Sequence, residues 1–331
     1  NNLVGVLPLV RRGRLLESFA SNHAPFYDYV GDADAVEQIW HTLREDRGWD
    51  RIILDRLPTR SPLLSRLPSL AIADLCVSIV KPGPSSPYFV LPNHEAKLNA
   101  KHKHNIRRCE KKIGGVELER ITTFSREALE EGLAIEGAAW KDAAGSSIAS
   151  SATLKHFYYA LARLSARRGE LSLYFLRAKG RRVAFLFALE DGHTLFALKT
   201  GYDPELREYS PGHLLFAEVA RDAERRGLIE LDFMGIADEW KRRWTDLTHD
   251  HSALLIYRPS IRGTSMLLGR EVLKPRLPKN VVTRLASVRT ELERRQRHCQ
   301  RNDLVGAHST VELLKGKVKY GVGIRSGYKR V

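Results

Sequence analysis

Residues 199–241 read KTGYDPELREYSPGHLLFAEVARDAERRGLIELDFMGIADEWK, and the order of elements that they predict is the strongest indication of the fold. A strand predicted at 194–199 leads through a polar loop to Ser-Pro-Gly at 210–212. Serine suits a helix cap and proline suits the first helical position, so a helix should begin at this proline. Its apolar stripe ends at Gly227, and 228–234 is typical of a buried strand.

The start of that helix is a candidate anion site. First-turn N–H groups are unpaired and the helix dipole favours negative charge there. Gly212 leaves the approach open, and Arg207 could add a bidentate phosphate contact. An ordinary capped helix has the same spacing, so both interpretations stay open.

Length and composition narrow the class of protein. A chain of 331 residues predicts about two domains. The three cysteines are far apart, which indicates a reducing compartment and no zinc or other metal site. No apolar run approaches the roughly 20 residues that span a bilayer, and there is no secretory signal, so we expect a cytoplasmic protein. The chain starts at Asn1 and runs directly into a hairpin-like stretch, which predicts that upstream residues are missing.

The net charge of +15 is concentrated near the end of the chain. Residues 259–331 hold 17 Lys and Arg against 5 Asp and Glu, an excess of 12. Such a segment attracts phosphate on lipid or nucleic acid, although a solvated charged surface is the alternative. Within it, 280–301 fits a helix with one apolar stripe among arginines, typical of a membrane-surface or docking helix.

The first 92 residues are predicted to form an α/β domain, with a helix at 34–47 and strands at 51–54, 71–80 and 88–91. His23 and Asp28 could line a cleft, but we interpret them as loop residues. The next helix should be capped by Asn93. It carries seven basic residues, whose exposed face could contact acidic substrates, RNA or lipid headgroups, or only water.

Glu136 is the most unusual residue of the next helix, predicted at 125–141. It shares a helical face with Leu129 and Leu133. A carboxylate on a buried stripe is a candidate base or substrate anchor. A structural ion pair is the alternative, and neither is excluded.

The predicted elements after residue 115 follow a definite order. A strand, two helices and three antiparallel strands precede the helix near Pro211, and a strand, a short helix and a last strand follow it. The remaining elements are predicted at 116–121, 153–168, 171–178, 182–190, 238–244 and 253–257.

That order resembles the acyl-CoA-dependent N-acyltransferase (GNAT) superfamily. Local motifs are similar to its CelD-like branch, which is often linked to bacterial exopolysaccharide clusters and is related to the Fem transferases. The resemblance covers about residues 3–258. Its motifs are Glu136-x-x-x-Trp140-Lys141, Gly145-Ser-Ser-Ile148, Lys199-x-Gly-Tyr202-Asp203, Ser210-Pro-Gly-His-Leu-Leu215, Asp232-Phe233 and Glu239-Trp240-Lys241.

The resemblance implies an α/β (α+β) fold of tandem GNAT-like domains, each a mixed, mostly antiparallel sheet flanked by helices. The implied N-terminal domain is 1–92, the acyltransferase domain is 93–258, and 259–331 is a basic, partly helical extension.

The resemblance also implies acetyl-CoA or another acyl-CoA as co-substrate, with its pyrophosphate on the loop before the helix. Ser210 stands where the family has glycine, and Pro211 removes one N–H donor. The Fem transferases take an aminoacyl group from tRNA instead, so the donor stays open. The implied cofactor residues are Arg207, Ser210, Pro211, Gly212, His213 and Leu214.

Either donor requires an amine to attack an activated carbonyl, with a base for the proton and donors for the oxyanion. Glu136 or Asp203 is the implied base or amine anchor. Lys199 and Tyr202 are implied as charge stabiliser or proton donor. The implied substrate residues are Trp140, Lys141, Asp232 and Lys241. Each of these also has a structural interpretation, in a turn, a core or an ion pair.

Three hypotheses follow. The first is N-acyl transfer to an amine or sugar substrate, such as an amino sugar or a cell-envelope or exopolysaccharide precursor. The second keeps the fold and takes aminoacyl-tRNA as donor, so nucleic acid is a partner only in that case. The third is a non-catalytic scaffold on an anionic membrane surface. The basic segment is compatible with a peripheral position at the inner face of the membrane.

Overall fold

The computed structural model describes residues 3–138, 148 and 151–273. The chain divides into two compact units, Asn1–Ser265 and Met266–Val331. Mixed sheets flanked by helices make up the first unit, so the predicted α/β class is confirmed. The predicted helix at 280–301 and the basic segment beyond 273 lie outside the described residues. None of the described helices is long and apolar enough to span a bilayer.

The larger sheet of the first unit has seven strands. All neighbours pair antiparallel except the strands Thr194–Tyr202 and Glu230–Asp232, which run parallel. In spatial order the strands are β13 (Thr248–His249), β7 (Ser86–Val90), β12 (Glu230–Asp232), β11 (Thr194–Tyr202), β10 (Arg181–Asp191), β9 (Leu171–Ala178) and β8 (Glu117–Ile121).

The second sheet has five strands, and the strands Leu15–Ser18 and Arg51–Pro58 are its parallel pair. A separate two-stranded ribbon joins β1 (Gly5–Val6) to β4 (Val30–Gly31). The order of the five-stranded sheet is β2 (Leu9–Arg12), β3 (Leu15–Ser18), β5 (Arg51–Pro58), β14 (His251–Tyr257) and β6 (Val77–Pro82).

The two sheets exchange strands across the predicted boundary at 92. β7 precedes residue 92 but pairs with β12 and β13 of the larger sheet. β14 follows the larger sheet in sequence but lies between β5 and β6 of the smaller one. A strand can pair with any free strand edge whose side chains match, however distant in sequence. The hydrophobic periodicity of the sequence predicts strands but not their partners, so it does not reveal this exchange.

Nine α-helices occur among the described residues, with a 3₁₀ turn at Pro204–Tyr209 and a π-helical turn at Leu268–Leu273. The helices are α1 (Ala35–Glu45), α2 (Pro62–Ala73), α3 (His94–Lys97), α4 (Ala100–Ile113), α5 (Arg126–Gly137), α6 (Ala152–Arg168), α7 (Pro211–Arg225), α8 (Glu239–Arg242) and α9 (Ile261–Leu267).

Two local predictions were wrong. The strand predicted at 71–80 is the end of α2 followed by β6, because the Ser61 side chain caps the helix by accepting the Leu63 N–H and Pro62 occupies its first turn. The basic helix is not capped by Asn93, whose backbone is left-handed with no side-chain capping bond. Asn99 caps α4 instead.

Helices cover both faces of the larger sheet. The α7 face carries α4 and α7 around one apolar core. The α5 face carries α5 and α6 around another. β10 is therefore buried on both sides, with Leu186 in the first core and Phe187 in the second. A third core lies between the five-stranded sheet and α1 and α2.

A half-buried ionic group ties β8, β10 and α7 together and makes stability depend on pH. Glu190 accepts hydrogen bonds from Arg120, Arg226 and Ser172. Burial alone would raise the pKa of Glu190, but the hydrogen bonds from Arg226 and Ser172 and the two guanidinium charges outweigh it and lower the pKa.

A carboxyl with a lowered folded pKa stabilises the protein above its ordinary value of 4.5, and that contribution disappears as the pH falls further. We expect Glu190→Gln to lower the melting temperature at pH 7 and to flatten its decline below about pH 4.5. Thermal melts from pH 3 to 7 test this, with Glu117→Gln, an exposed strand position, as the control. Parallel curves for wild type and Glu190→Gln would contradict it.

Candidate functional site

β11 organises the candidate site. It pairs with β12 only from Thr194 to Phe196 and then continues to Tyr202 without that partner. The two parallel strands therefore part after three pairs. The far half of β11 presents its side chains beside this opening, on both faces of the sheet.

A β-bulge decides which way Lys199 points. Lys199 pairs with Phe187, whereas the next pair joins Ala197 to Ala188, so one residue of β11 has no counterpart. Such an insertion re-aims the side chains beyond it. Because Phe187 belongs to the core on the α5 face, Lys199 also lies on that face.

Gly201 lets α5 approach β11 closely. A Cβ at this position would lie 3.0 Å from the backbone N of Glu136 and from the O of Ile135, and closer still to the Glu136 Cα. Only a residue without a side chain fits here. This contact places Glu136, which is only 1% exposed, directly over the end of β11.

Four polar side chains meet on the α5 face and form what we call the central polar cluster: His23, Glu136, Tyr158 and Lys199. His23 Nδ1 lies 3.2 Å from the Tyr158 hydroxyl, and Lys199 Nζ donates to the Asn22 carbonyl at 3.1 Å. Glu136 interacts electrostatically with both His23 and Tyr158. Its Oε2 also accepts the backbone N–H of Ile148 at 3.2 Å.

The surroundings set the protonation states of two members. Burial and the Lys199 charge lower the pKa of His23, against a smaller opposite effect of Glu136. Burial, with the Glu136 charge, raises the pKa of Tyr158. At neutral pH the cluster thus offers a neutral imidazole that can take a proton and a phenol that can donate a hydrogen bond.

The structure places two of the site residues proposed from the sequence, Glu136 and Lys199, in this cluster. Sequence reasoning missed the other two members. His23 was interpreted as a loop residue, and nothing in its local pattern indicates that its loop packs on β11. Tyr158 lies on the buried face of α6. A buried tyrosine needs a hydrogen-bond partner for its hydroxyl, and this requirement was the signal in the sequence that could have identified Tyr158.

Tyr202 and Asp203 lie away from this cluster. Tyr202 pairs with Ala184 and packs with the core on the α7 face, beside Gly212. Asp203 accepts the Glu205 N–H at 2.9 Å and forms an ion pair with Arg181. Asp203 thus caps the 3₁₀ turn, which is the structural interpretation that its sequence context left open.

The start of α7 offers few free donors. Ser210 has a left-handed backbone and does not cap the helix with its side chain. The N–H groups of His213 and Leu214 both point to the Ser210 carbonyl, and Pro211 has no N–H. Among the described residues, the Gly212 N–H makes no hydrogen bond. Arg207 is exposed nearby.

The side chains of His213 and Leu214 belong to the interior. Leu214 is buried in the core on the α7 face. His213 Nδ1 accepts the Trp244 indole N–H at 3.1 Å, and its ring also contacts His102 and Trp240. Burial lowers the pKa of His213 to about 4, so the ring is a neutral part of an aromatic group.

Asp232 and Lys241 hold the backbone after β12. Asp232 is 5% exposed and accepts hydrogen bonds from Ser86 Oγ and the Met234 N–H, and burial raises its pKa. Lys241 is 6% exposed, and its Nζ donates to the carbonyls of Met234 and Ile236 at 2.6 and 2.8 Å. Trp140 and Lys141 lie outside the described residues.

Replacing Lys241 by methionine should therefore destabilise the protein by about 2 kcal/mol, because two carbonyls lose a buried charged donor. Chemical denaturation measures this, with Arg242→Met, an exposed neighbour, as the control that should change stability little. If both variants unfold like the wild type, the two hydrogen bonds do not secure this segment.

Three residues could in principle ligate a metal ion. Ligand-type atoms of Glu230, Asp232 and His249 lie within 4.8 Å of one another. His249 Nε2 is 2.9 Å from Glu230, and its ring stacks on Tyr88. With Asp232 already bonded to Ser86, contacts within the protein account for all three groups.

Comparisons with known proteins agree on the kind of domain. Residues 100–242 match the family model described as an acetyltransferase (GNAT) domain. No curated protein matches the chain in sequence.

Among solved structures, the C-terminal domain (DUF2156) of a putative lysylphosphatidylglycerol synthetase from Agrobacterium fabrum is 13% identical, with a TM-score of 0.54 over 80% of this chain and 84% of that chain. L-PGS from Bacillus licheniformis is 12% identical, with the same TM-score and coverage. FemX is 11% identical, with a TM-score of 0.51 over 75% of this chain and 84% of that one. At these identities the likeness is one of fold.

Proposed function

Residues 100–242 of this chain form a GNAT domain, as the sequence predicted, and on that premise we propose that the protein is an N-acyltransferase that works at the central polar cluster. The likeness to FemX confirms the predicted relation to the Fem transferases in fold. The CelD-like branch stays a prediction. The observation that carries the proposal is the meeting of His23, Glu136, Tyr158 and Lys199 beside the opening between β11 and β12.

The cluster supplies both kinds of group that acyl transfer to an amine needs. An attacking amine must lose a proton, and either the neutral His23 imidazole or the Glu136 carboxylate can take it. The carbonyl oxygen becomes negative in the transition state, and the Lys199 ammonium and Tyr158 hydroxyl can stabilise that charge. Glu136 and Tyr158 are buried, so these interactions act in a low dielectric.

We propose acetyl-CoA or another acyl-CoA as the donor, since this is the co-substrate that the GNAT resemblance implies. The Gly212 N–H at the start of α7 and the exposed Arg207 guanidinium are the groups available to its pyrophosphate. The proposed acceptor is an amine of a sugar or cell-envelope precursor. The basic segment 259–331 would hold the protein at an anionic membrane surface.

One observation favours a second donor, aminoacyl-tRNA. His213 and Leu214 direct their N–H groups to Ser210, which leaves a pyrophosphate fewer donors than a glycine-rich loop would. The exposed lysines and arginines of α4 provide the positive surface that an RNA donor requires.

Ligand-induced thermal stabilisation separates the two donors. A ligand at about 100 times its dissociation constant should stabilise the fold by roughly 2.7 kcal/mol, a shift of a few degrees. If acyl-CoA is the donor, acetyl-CoA or a longer acyl-CoA raises the melting temperature of the wild type but not of Gly212→Glu, whose carboxylate occupies the anion position. Mass spectrometry of an amine panel then identifies the acylated product.

Absence of any shift with acyl-CoA or free coenzyme A would overturn the first donor. A titration with aminoacyl-tRNA across salt concentrations then decides the second. Binding that weakens steeply with salt supports it, and no binding removes it.

A further inference from the structure

A large cavity lies on the α7 side of the sheet, away from the central polar cluster. Its volume is about 980 Å³, within the usual range for small-molecule sites. It opens between the first half of α4 and residues 239–247. Nitrogen-bearing side chains dominate its polar lining: Lys97, Lys101, His102, His104, Arg242 and Arg243.

The formal charge of this cationic cavity is positive, since four Lys and Arg face two carboxylates, Glu239 and Asp246. Arg243 forms an ion pair with Glu239 at 3.0 Å, which orients its guanidinium. Lys101 Nζ makes no hydrogen bond or ion pair within the part of the chain that the structure describes. Two cations in excess match the charge of a phosphoryl group.

His102 is a buried part of the cavity wall. The residue is 8% exposed, and its Nε2 has almost no accessible surface and no hydrogen-bond partner among the described residues. The rings of His213 and Trp244 surround it at 5.0 and 4.8 Å between centroids. A ligand in the cavity therefore does not reach Nε2, and its polar contacts come from the Lys and Arg side chains of the lining.

We propose that this cavity binds a small molecule through a phosphoryl group, which accepts hydrogen bonds from Lys101 Nζ and the Arg243 guanidinium. The volume exceeds what inorganic phosphate needs, so the ligand carries further atoms over Phe89 and Leu247, which form part of the apolar lining. The inference does not rest on the proposed transfer reaction, because none of these residues belongs to the central polar cluster.

Isothermal titration of the full chain with three probes tests the site and distinguishes its source of phosphate. The probes are pyrophosphate, ADP and glycerol 3-phosphate, with uncharged adenosine for comparison. We expect saturable binding of at least one phosphate probe, at least tenfold weaker in Lys101→Gln and in Arg243→Gln. Lys111→Gln removes an exposed charge of the same helix outside the cavity and should bind like the wild type. The tightest probe identifies a free diphosphate, a nucleotide or a lipid-type headgroup.

One further variant separates this cavity from the start of α7. Gly212→Glu blocks the start of α7 and should leave phosphate binding in the cavity unchanged. Loss of acyl-CoA binding at the start of α7 and loss of phosphate binding in the cavity can therefore be observed separately. No saturable binding of any phosphate probe, equal binding of adenosine, or equal loss in Lys111→Gln would overturn the proposal.

Discussion

Alanine at Gly201 should lower the free energy of unfolding by about 3 kcal/mol, and the melting temperature by roughly 6–12 °C, although only one methyl group is added. The new Cβ would meet backbone atoms of Ile135 and Glu136, which cannot rotate away. α5 would have to move from β11 as a whole. The same shift would displace Glu136 from the central polar cluster, so activity should fall with stability.

Two other glycines provide the comparison. A Cβ at Gly132, also on α5, would lie 2.6 Å from the Phe185 Cζ, but a ring can shift, so Gly132→Ala should cost less than Gly201→Ala. A Cβ at Gly212 would meet only the Tyr202 ring at 3.4 Å, and Gly212→Ala should be neutral or slightly stabilising. Urea denaturation of the three variants measures the order. Equal stability of Gly201→Ala and Gly212→Ala would show that α5 does not lie on β11 as described.

Glutamine at Glu136 should reduce the rate of acyl transfer by about 10²–10³ while the fold persists. The amide keeps the size of the side chain and can still accept the Ile148 N–H, but it can neither take a proton nor balance the Lys199 charge. Loss of this negative charge should also lower the pKa of His23 further, because Glu136 is the group that raises it.

Single-turnover kinetics on the acceptor found by product analysis measure the effect, and thermal melts verify folding. Glu117→Gln removes an exposed carboxylate from β8 and serves as the control. His23→Gln provides a second test, since it should reduce the rate without a large change in melting temperature. Full activity in Glu136→Gln would show that Glu136 is not the base and that the reaction does not need its charge.

Much of the larger sheet was predictable because its determinants are local. The turns at Lys179-Gly180 and Asp191-Gly192 have left-handed backbone at three of their four residues, as hairpin chemistry requires. The proline at the start of α7 and the glycine after its end bracket that helix as expected. α2 was missed because an apolar run with an internal proline does not distinguish a helix from a strand.

The candidate site was predictable only in part, for a physical reason. Glu136 stands out because a carboxylate on an apolar stripe is unusual. Lys199 and Tyr202 were assigned to one site because they are three residues apart, but the sheet places them on opposite faces. His23 reaches the cluster through a loop, and only tertiary packing brings it to Tyr158.

The exchange of strands between the two sheets has a consequence for synthesis on the ribosome. β14 lies between β5 and β6 and pairs with both, yet it emerges about 170 residues after the end of β6. Until then the nascent N-terminal half exposes two strand edges without their shared neighbour, a state prone to aggregation. A ribosome that stalls before residue 251 would therefore release a chain that lacks β14. Its five-stranded sheet would stay incomplete, even where the apolar core under α1 and α2 is well packed.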